Sequence, residues 1–192
     1  NECGGVDDRS SAAQGTLIVK HPLNPLNYYI ITVEDVVNTG CPINGVSVAI
    51  IDSSGILVNA SLPMDSYTNE GRDPYRTTEG IAATMHGNGV DVWITVQPLD
   101  VDYYLSYLLT ANGFSSAPVI SAGMAIPTDV RHGFGTVTFS WDGKYFASVH
   151  EVNPADVGNG PNYAHNTVSL YDFDNWTGKI SNHKAVYDKL WS

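Results

Sequence analysis

An all-β fold built from repeated antiparallel units is what this 192-residue sequence predicts, on three observations. A strand–turn–strand pattern recurs three times, and its second strand is aromatic-rich each time: 28–33, 91–96 and 144–149. Tyr29 and Trp93 are 64 positions apart, and Trp93 and Phe146 are 53 apart. Each copy is followed by a second hairpin that closes on glycine, at Gly55, Gly113 and Gly178, with spacings of 58 and 65. No amphipathic helix longer than about two turns shows the 3.6-residue apolar spacing. Repetition at roughly 50–60 residues, with four strands per unit, is the signature of a β-propeller blade. The pattern therefore predicts three four-stranded antiparallel blades near 15–70, 78–125 and 133–190, after a polar arm over 1–14.

The first unit opens at Gly15 with a strand over 16–19, a Pro22-Leu23-Asn24-Pro25 turn and the strand 28–33. A strand over 48–52 then runs into Ser53-Ser54-Gly55. In the second unit His86-Gly87-Asn88-Gly89 precedes the strand 91–96, and 107–110 leads into Ala111-Asn112-Gly113. The third unit turns at Ser140-Trp141-Asp142-Gly143, where Asp-Gly between alternating apolar residues is a strong hairpin signal. Its alternation predicts that Val137 and Phe139 share faces with Tyr145, Ala147 and Val149. The strand 169–174 ends in Asn175-Trp176-Thr177-Gly178. Pro, Asn and Gly recur in these turns because they accept fixed or positive φ angles that β-branched residues resist. The closing segment 184–191 reads equally well as a short helix or as the outer strand of the third blade.

Between the fixed strands lie inserts of unequal length, 61–79, 121–132 and 151–165, which belong on the loop faces where binding sites reside. Propellers close with about four to eight blades. Three blades leave uncovered edges and faces that invite association. The expected partner is therefore further blades of the same protein, with another chain as the alternative.

Composition narrows the function classes. The formal charge is −11, from 9 Lys+Arg against 20 Asp+Glu, and no basic cluster occurs. That argues against nucleic acid and anionic lipid as partners. No stretch approaches the ~18 consecutive apolar residues of a membrane helix, so membrane insertion through a helix is not expected. The two cysteines, Cys3 and Cys41, form no C-x-x-C pair and have no histidine at zinc spacing. In an oxidising compartment a Cys3–Cys41 disulfide would staple the arm to the loop after the first hairpin; in a reducing one they are two thiols.

The run Gly135-Thr136-Val137-Thr138-Phe139-Ser140-Trp141-Asp142-Gly143-Lys144-Tyr145 is similar to the F-S-P-D-G-K hairpin of WD-like and lactonase-like propellers, with Trp141 in place of the usual proline. Segments over 14–19, 28–33, 79–93, 107–113 and 168–174 together resemble the N-terminal propeller region of Bacteroidetes surface proteins. Those proteins are exported by type IX secretion and are described as gliding-motility-associated. The resemblance spans about 14–182. It implies a secreted, cell-surface adhesion module that binds a protein or glycan, and it carries no catalytic residues with it.

The candidate chemistry is sparse. The six histidines (His21, His86, His132, His150, His165 and His183) show neither H-x-H nor H-E-x-x-H spacing. No metal or other cofactor is expected on that pattern. Asp91, Asp100 and Asp102 do not match a calcium loop, so a Ca2+ held partly by backbone carbonyls is the alternative to plain solvated carboxylates. No G-x-S-x-G elbow or Cys/His arrangement points to a nucleophile. The aromatics of the inserts, Tyr67, Tyr75 and Tyr163, are the candidate ligand-binding residues, since exposed rings stack on sugars or partner side chains. The reading is a non-enzymatic structural and adhesion module. The alternatives are a lactonase-like enzyme with an axial metal or acid/base site, and a subunit of an extracellular filament.

Overall fold

The computed structural model describes residues 14–33, 46–61, 77–99, 101–124, 135–152 and 165–190. Within them the chain is strand and turn throughout, in three antiparallel sheets that follow one another along the sequence. Sheet 1 takes β1 (Thr16–Lys20), β2 (Tyr28–Val33), β3 (Val46–Asp52) and β4 (Gly55–Ser61), side by side in that order. Sheet 2 takes β5 (Thr77–Met85), β6 (Val92–Pro98) and β7 (Tyr103–Thr110), with β8 (Gly113–Phe114) and β9 (Val119–Ala122) both paired to β7. Sheet 3 takes β10 (Gly135–Phe139), β11 (Tyr145–Val152), β12 (His165–Asp174) and β13 (Lys179–Leu190). Because each strand pairs with the next, the tight turns after β1, β3, β5, β7, β10 and β12 share one end, called here the turn end. Cys3, Cys41, Tyr67, Tyr75 and Tyr163 lie outside the described residues.

The structure departs from the sequence reading in several places. Sheet 2 has five strands rather than four, because its outer strand is interrupted. Ser115 Oγ accepts the Leu108 N–H (3.1 Å) and the Ser115 N–H reaches the Leu108 carbonyl (2.8 Å), and the chain then bulges to Pro118 before pairing resumes in β9. In sheet 3 the register sets Val137 opposite Ser148 and Phe139 opposite Phe146. Odd positions of β10 therefore share a face with even positions of β11. Val137 and Phe139 lie with Phe146 and Ser148, while Tyr145, Ala147 and Val149 occupy the other face. Residues 77–79, read as insert, are the start of β5, and 184–190 is strand rather than helix.

Two cores hold the three sheets together. The first joins Tyr29, Ile31, Val33, Val46 and Val48 of sheet 1 to Ile81, Ile94, Val96, Leu105, Tyr107 and Leu109 of sheet 2. The second joins Ala82, Trp93 and Tyr104 of sheet 2 to Val137, Phe146, Tyr171, Phe173 and Ile180 of sheet 3. Alternation along β6 explains the division: Val92, Ile94 and Val96 point to sheet 1, whereas Trp93, Thr95 and Gln97 point to sheet 3. The first core is apolar. The second is aromatic and hydrogen-bonded, with Tyr104 Oη donating to Ser148 Oγ at 2.9 Å and Ile180 N–H to Ser121 Oγ at 2.9 Å. Edge-to-face rings fill it, Tyr104 on Phe146 at 4.9 Å and on Tyr171 at 5.5 Å. The two interfaces predict different mutational costs. Ile94→Ala should lose about 3–4 kcal/mol of unfolding free energy through the cavity it leaves. Tyr104→Phe should lose only about 1–2 kcal/mol, the worth of one buried hydrogen bond. Urea denaturation of each variant measures both.

Candidate functional site

The turn end is rigid and carries exposed aromatics. In the β12–β13 turn, Asp174 accepts the Trp176 N–H (2.9 Å) and the Thr177 hydroxyl (2.8 Å). Those bonds, the Trp176 amide first, hold its carboxyl below the usual range. The turn leans on the β5–β6 turn of sheet 2. Asn88 N–H donates to His86 Nδ1 (3.0 Å), so the ring proton sits on Nε2, which donates to the Trp176 carbonyl (3.0 Å). Trp93 Nε1 donates to the Asn175 carbonyl at 2.9 Å. The Trp176 ring lies directly on Gly87, where any side chain would collide with the indole, and meets His86 edge-on at 5.4 Å. The remaining indole surface faces solvent. Trp141, at the tip of the β10–β11 turn, is fully exposed, and Tyr145 after it is nearly half exposed. That turn is tied by Asp142, which accepts the Ser140 hydroxyl (2.7 Å) and is thereby held below the ordinary carboxylate range.

Also at the turn end, a cleft of about 560 Å³ opens between the first turns of sheets 1 and 2, with Ile18, Leu23, Met85 and Val90 in its walls.

A different environment lies at the opposite end of the interface between sheets 2 and 3. There β5 approaches β10 so closely that a Cβ on Gly80 would lie 3.2 Å from Val137 Cγ1. Thr78 is two residues upstream of Gly80; Gly135, two upstream of Val137, pairs with His150. This end therefore gathers buried polar groups: Thr77, Thr78, Gln97 and His150. Among the described residues, both His150 nitrogens, the two threonine hydroxyls and Gln97 Oε1 have no hydrogen-bond partner, although Gln97 Nε2 donates to the Met124 carbonyl (3.0 Å). Burial pushes the His150 imidazole down to about 4, so it is neutral at pH 7. A neutral imidazole at this polar end can accept a proton or hold a polar ligand. Among the described residues no group of three His, Cys, Asp or Glu side chains converges as a metal site.

Of the aspartates considered for calcium, Asp91 is bonded to Asn88 Nδ2 (2.7 Å), Asp102 is exposed, and Asp100 lies outside the described residues. Sequence reasoning did not single out Trp176 above the other aromatics. Its signal was the Asp-x-Trp-Thr-Gly turn, whose aspartate fixes the backbone on either side of the indole. Nor did it single out His150, whose signal was its parity with Phe146 and Ser148 along β11.

No family model matches the chain, and no curated protein matches it. Among solved structures the chain is similar to a GH43_12 protein retrieved from a capybara gut metagenome, at 17% identity and a TM-score of 0.40. The match covers 91% of this chain and 32% of that one, so the chain spans about a third of that protein's length.

The His150 environment makes stability depend on pH in a defined direction. The unfolded imidazole titrates near 6.5 and the folded one near 4, so the unfolded chain binds the extra proton between those values. The contribution is intact above about pH 6.5. It falls as pH drops, and roughly 3 kcal/mol is lost below about pH 4. Denaturant titrations at about pH 7 and about pH 4.5, compared between the wild type and His150→Leu, isolate this part; the wild type should lose more stability on acidification than the variant.

Proposed function

We propose that the described residues form three consecutive blades of a β-propeller that serves as a binding and adhesion module. One observation carries the reading: each sheet is an up-and-down meander, and the middle sheet is sandwiched between its neighbours. The first strands also lie together, β5 against both β1 and β10, as inner strands do around a propeller axis. The binding surface is the turn end, where Trp176, Trp141 and Tyr145 present rings to solvent on turns fixed by their own hydrogen bonds. A rigid exposed ring stacks on a sugar or a partner side chain at little entropic cost. The secreted, cell-surface address belongs to the same proposal and rests on the sequence resemblance.

The partner is a further blade, from the same protein or from another chain. Sheet 3 carries Tyr145, Ala147, Val149, Val168 and Leu170 on the face away from sheet 2, and sheet 1 carries Ile18, Tyr28, Ile30 and Ile51 on its corresponding face; all are partly or well exposed. A sheet face meant for water alternates to polar residues instead. Sedimentation should therefore show the wild-type chain self-associating, and Val149→Lys with Leu170→Lys shifting it towards monomer while the β-sheet circular dichroism is kept. A wild type that stays monomeric at every concentration tested would contradict the proposal. For the turn end, a glycan array and immobilised surface proteins are the screen. Any ligand found there should lose about tenfold in affinity with Trp176→Ala or Trp141→Ala. A ligand held equally by both variants places the site elsewhere.

A second reading, a lactonase-like enzyme with an acid/base site, is favoured by the neutral buried imidazole of His150. Turnover of a chromogenic lactone or ester that disappears in a folded His150→Gln variant would support it over the binding module.

A further inference from the structure

The first turn of each sheet is closed by the same main-chain bond. The residue that follows the first strand donates its N–H across the turn: His21 to the Asn27 carbonyl, His86 to the Asp91 carbonyl and Ser140 to the Tyr145 carbonyl, each at 2.9 Å. The side chain of that same residue then folds into the turn and accepts main-chain N–H groups. His21 Nδ1 accepts from Leu23 and Asn24 (3.3 and 3.2 Å), and His86 Nδ1 from Asn88 (3.0 Å). Ser140 Oγ accepts from Lys144 and Tyr145 (3.2 and 3.0 Å). Three equivalent positions thus carry two imidazoles and one hydroxyl.

The two kinds of acceptor respond differently to acid. An imidazole accepts through its one unprotonated nitrogen, and with both nitrogens protonated it only donates. Nδ1–H would then face the amide N–H it had accepted, and the ring must swing away. A serine hydroxyl keeps its lone pairs throughout the range in which histidine titrates. Asp142, which accepts the Ser140 hydroxyl and the Lys144 amide (2.7 and 3.2 Å), is held below the usual carboxylate range and stays ionised there. His86 also reaches the next sheet: Nε2 donates to the Trp176 carbonyl (3.0 Å), and the adjacent Gly87 N–H donates to the Asn175 carbonyl (3.0 Å). The charged groups around His86, among the described residues, are already engaged. Asp91 of its own turn holds Asn88 Nδ2, Asp174 of the β12–β13 turn holds Trp176 and Thr177, and Asp142 lies 3.8 Å from Lys144. β6 meets the ring with Trp93 and carries no charge. His21 is covered by Tyr29 of β2 at 5.5 Å, while Lys20, paired with Tyr28, lies on the other face of β1.

We propose that protonation of His21 and His86 unlocks the first turns of sheets 1 and 2 and loosens the β12–β13 turn that carries Trp176, while the first turn of sheet 3 stays closed. The proton sensitivity rests on these bonds alone; its consequence, control of the ring surface, rests on the binding reading above. The test is residue-resolved hydrogen exchange on the ligand-free wild-type chain from about pH 7.5 to about pH 5, corrected for the intrinsic pH dependence of exchange, with imidazole nitrogen shifts reporting each protonation. Protection of the Asn24, Asn88 and Gly87 amides should fall about tenfold as the imidazoles titrate, with Lys144, Tyr145 and the β6 amides unchanged. In His86→Asn, whose side-chain oxygen accepts without titrating, Asn88 and Gly87 should lose their pH dependence and Asn24 keep it; His21→Asn should do the reverse. Unchanged protection at Asn24 and Asn88 through the titration, an equal loss at Lys144 and Tyr145, a simultaneous loss in β6, or pH dependence at Asn88 that survives in His86→Asn would each overturn the proposal. If a variant fails to fold, the contrast between sheets 1 and 2 and sheet 3 in the wild type still decides it. No ligand enters the test, so a turn end that binds nothing leaves its result intact, and a failed titration leaves the binding reading standing.

Discussion

Burial of the middle sheet on both faces is the constraint from which the rest of the structure follows. Every one of the seven positions of β6 is buried. A strand with water on one face alternates apolar and polar residues, whereas one covered twice must be accommodated on both sides. Val-Trp-Ile-Thr-Val-Gln meets that demand in two ways. Its even positions meet the aliphatic side chains of sheet 1, where packing alone is enough. Its odd positions meet sheet 3 with a tryptophan, a threonine and a glutamine, which need partners as well as contact.

Those partners account for the character of the second interface. Thr95 and Ser106 bond each other at 2.9 Å across neighbouring strands of sheet 2, Tyr104 reaches Ser148 in sheet 3, and Trp93 reaches the carbonyl of Asn175 in the last turn. Such bonds fix the sheets in one register, because a slip of either sheet would leave buried polar atoms unpaired. Burial, with the neighbouring Tyr171, drives the Tyr104 hydroxyl well above its ordinary range, keeping it neutral and able to donate. Among the described residues, buried polar atoms without partners collect at one end of the interface, on Thr77, Thr78, Gln97 Oε1 and His150. The functional potential of the chain thus divides between a polar, buried end and a turn end whose rigid hairpins present rings and an apolar cleft.

Much of the strand order was legible in the sequence because turn chemistry and alternation act locally. The aromatic strands at 28–33, 91–96 and 144–149 correspond to β2, β6 and β11, each second in its sheet, and the Gly55, Gly113 and Gly178 turns lie where their φ angles of 118°, 98° and 73° require glycine. Facing was harder. Tyr145, Ala147 and Val149 alternate as convincingly as Phe146, Ser148 and His150, and only pairing with β10 and contact with sheet 2 decide which set is inside. The break between β8 and β9 was equally hidden, since Ser115-Ser116-Ala117-Pro118 reads as an ordinary loop until Ser115 is seen to close on Leu108. The exposed cleft joins residues over 18–25 to residues over 83–92, a proximity that no local pattern encodes.

Residue-resolved hydrogen exchange tests the central claim most directly, because protection reports how deeply each strand is held within the cooperative unit. A middle sheet enclosed on both faces predicts that the amides of Trp93, Ile94, Thr95, Val96 and Leu105 are the slowest in the chain, exchanging only through global unfolding. The edge amides of β1 and β13 should open well before them. Exchange in β6 and β7 that precedes exchange in sheets 1 and 3 would contradict the account.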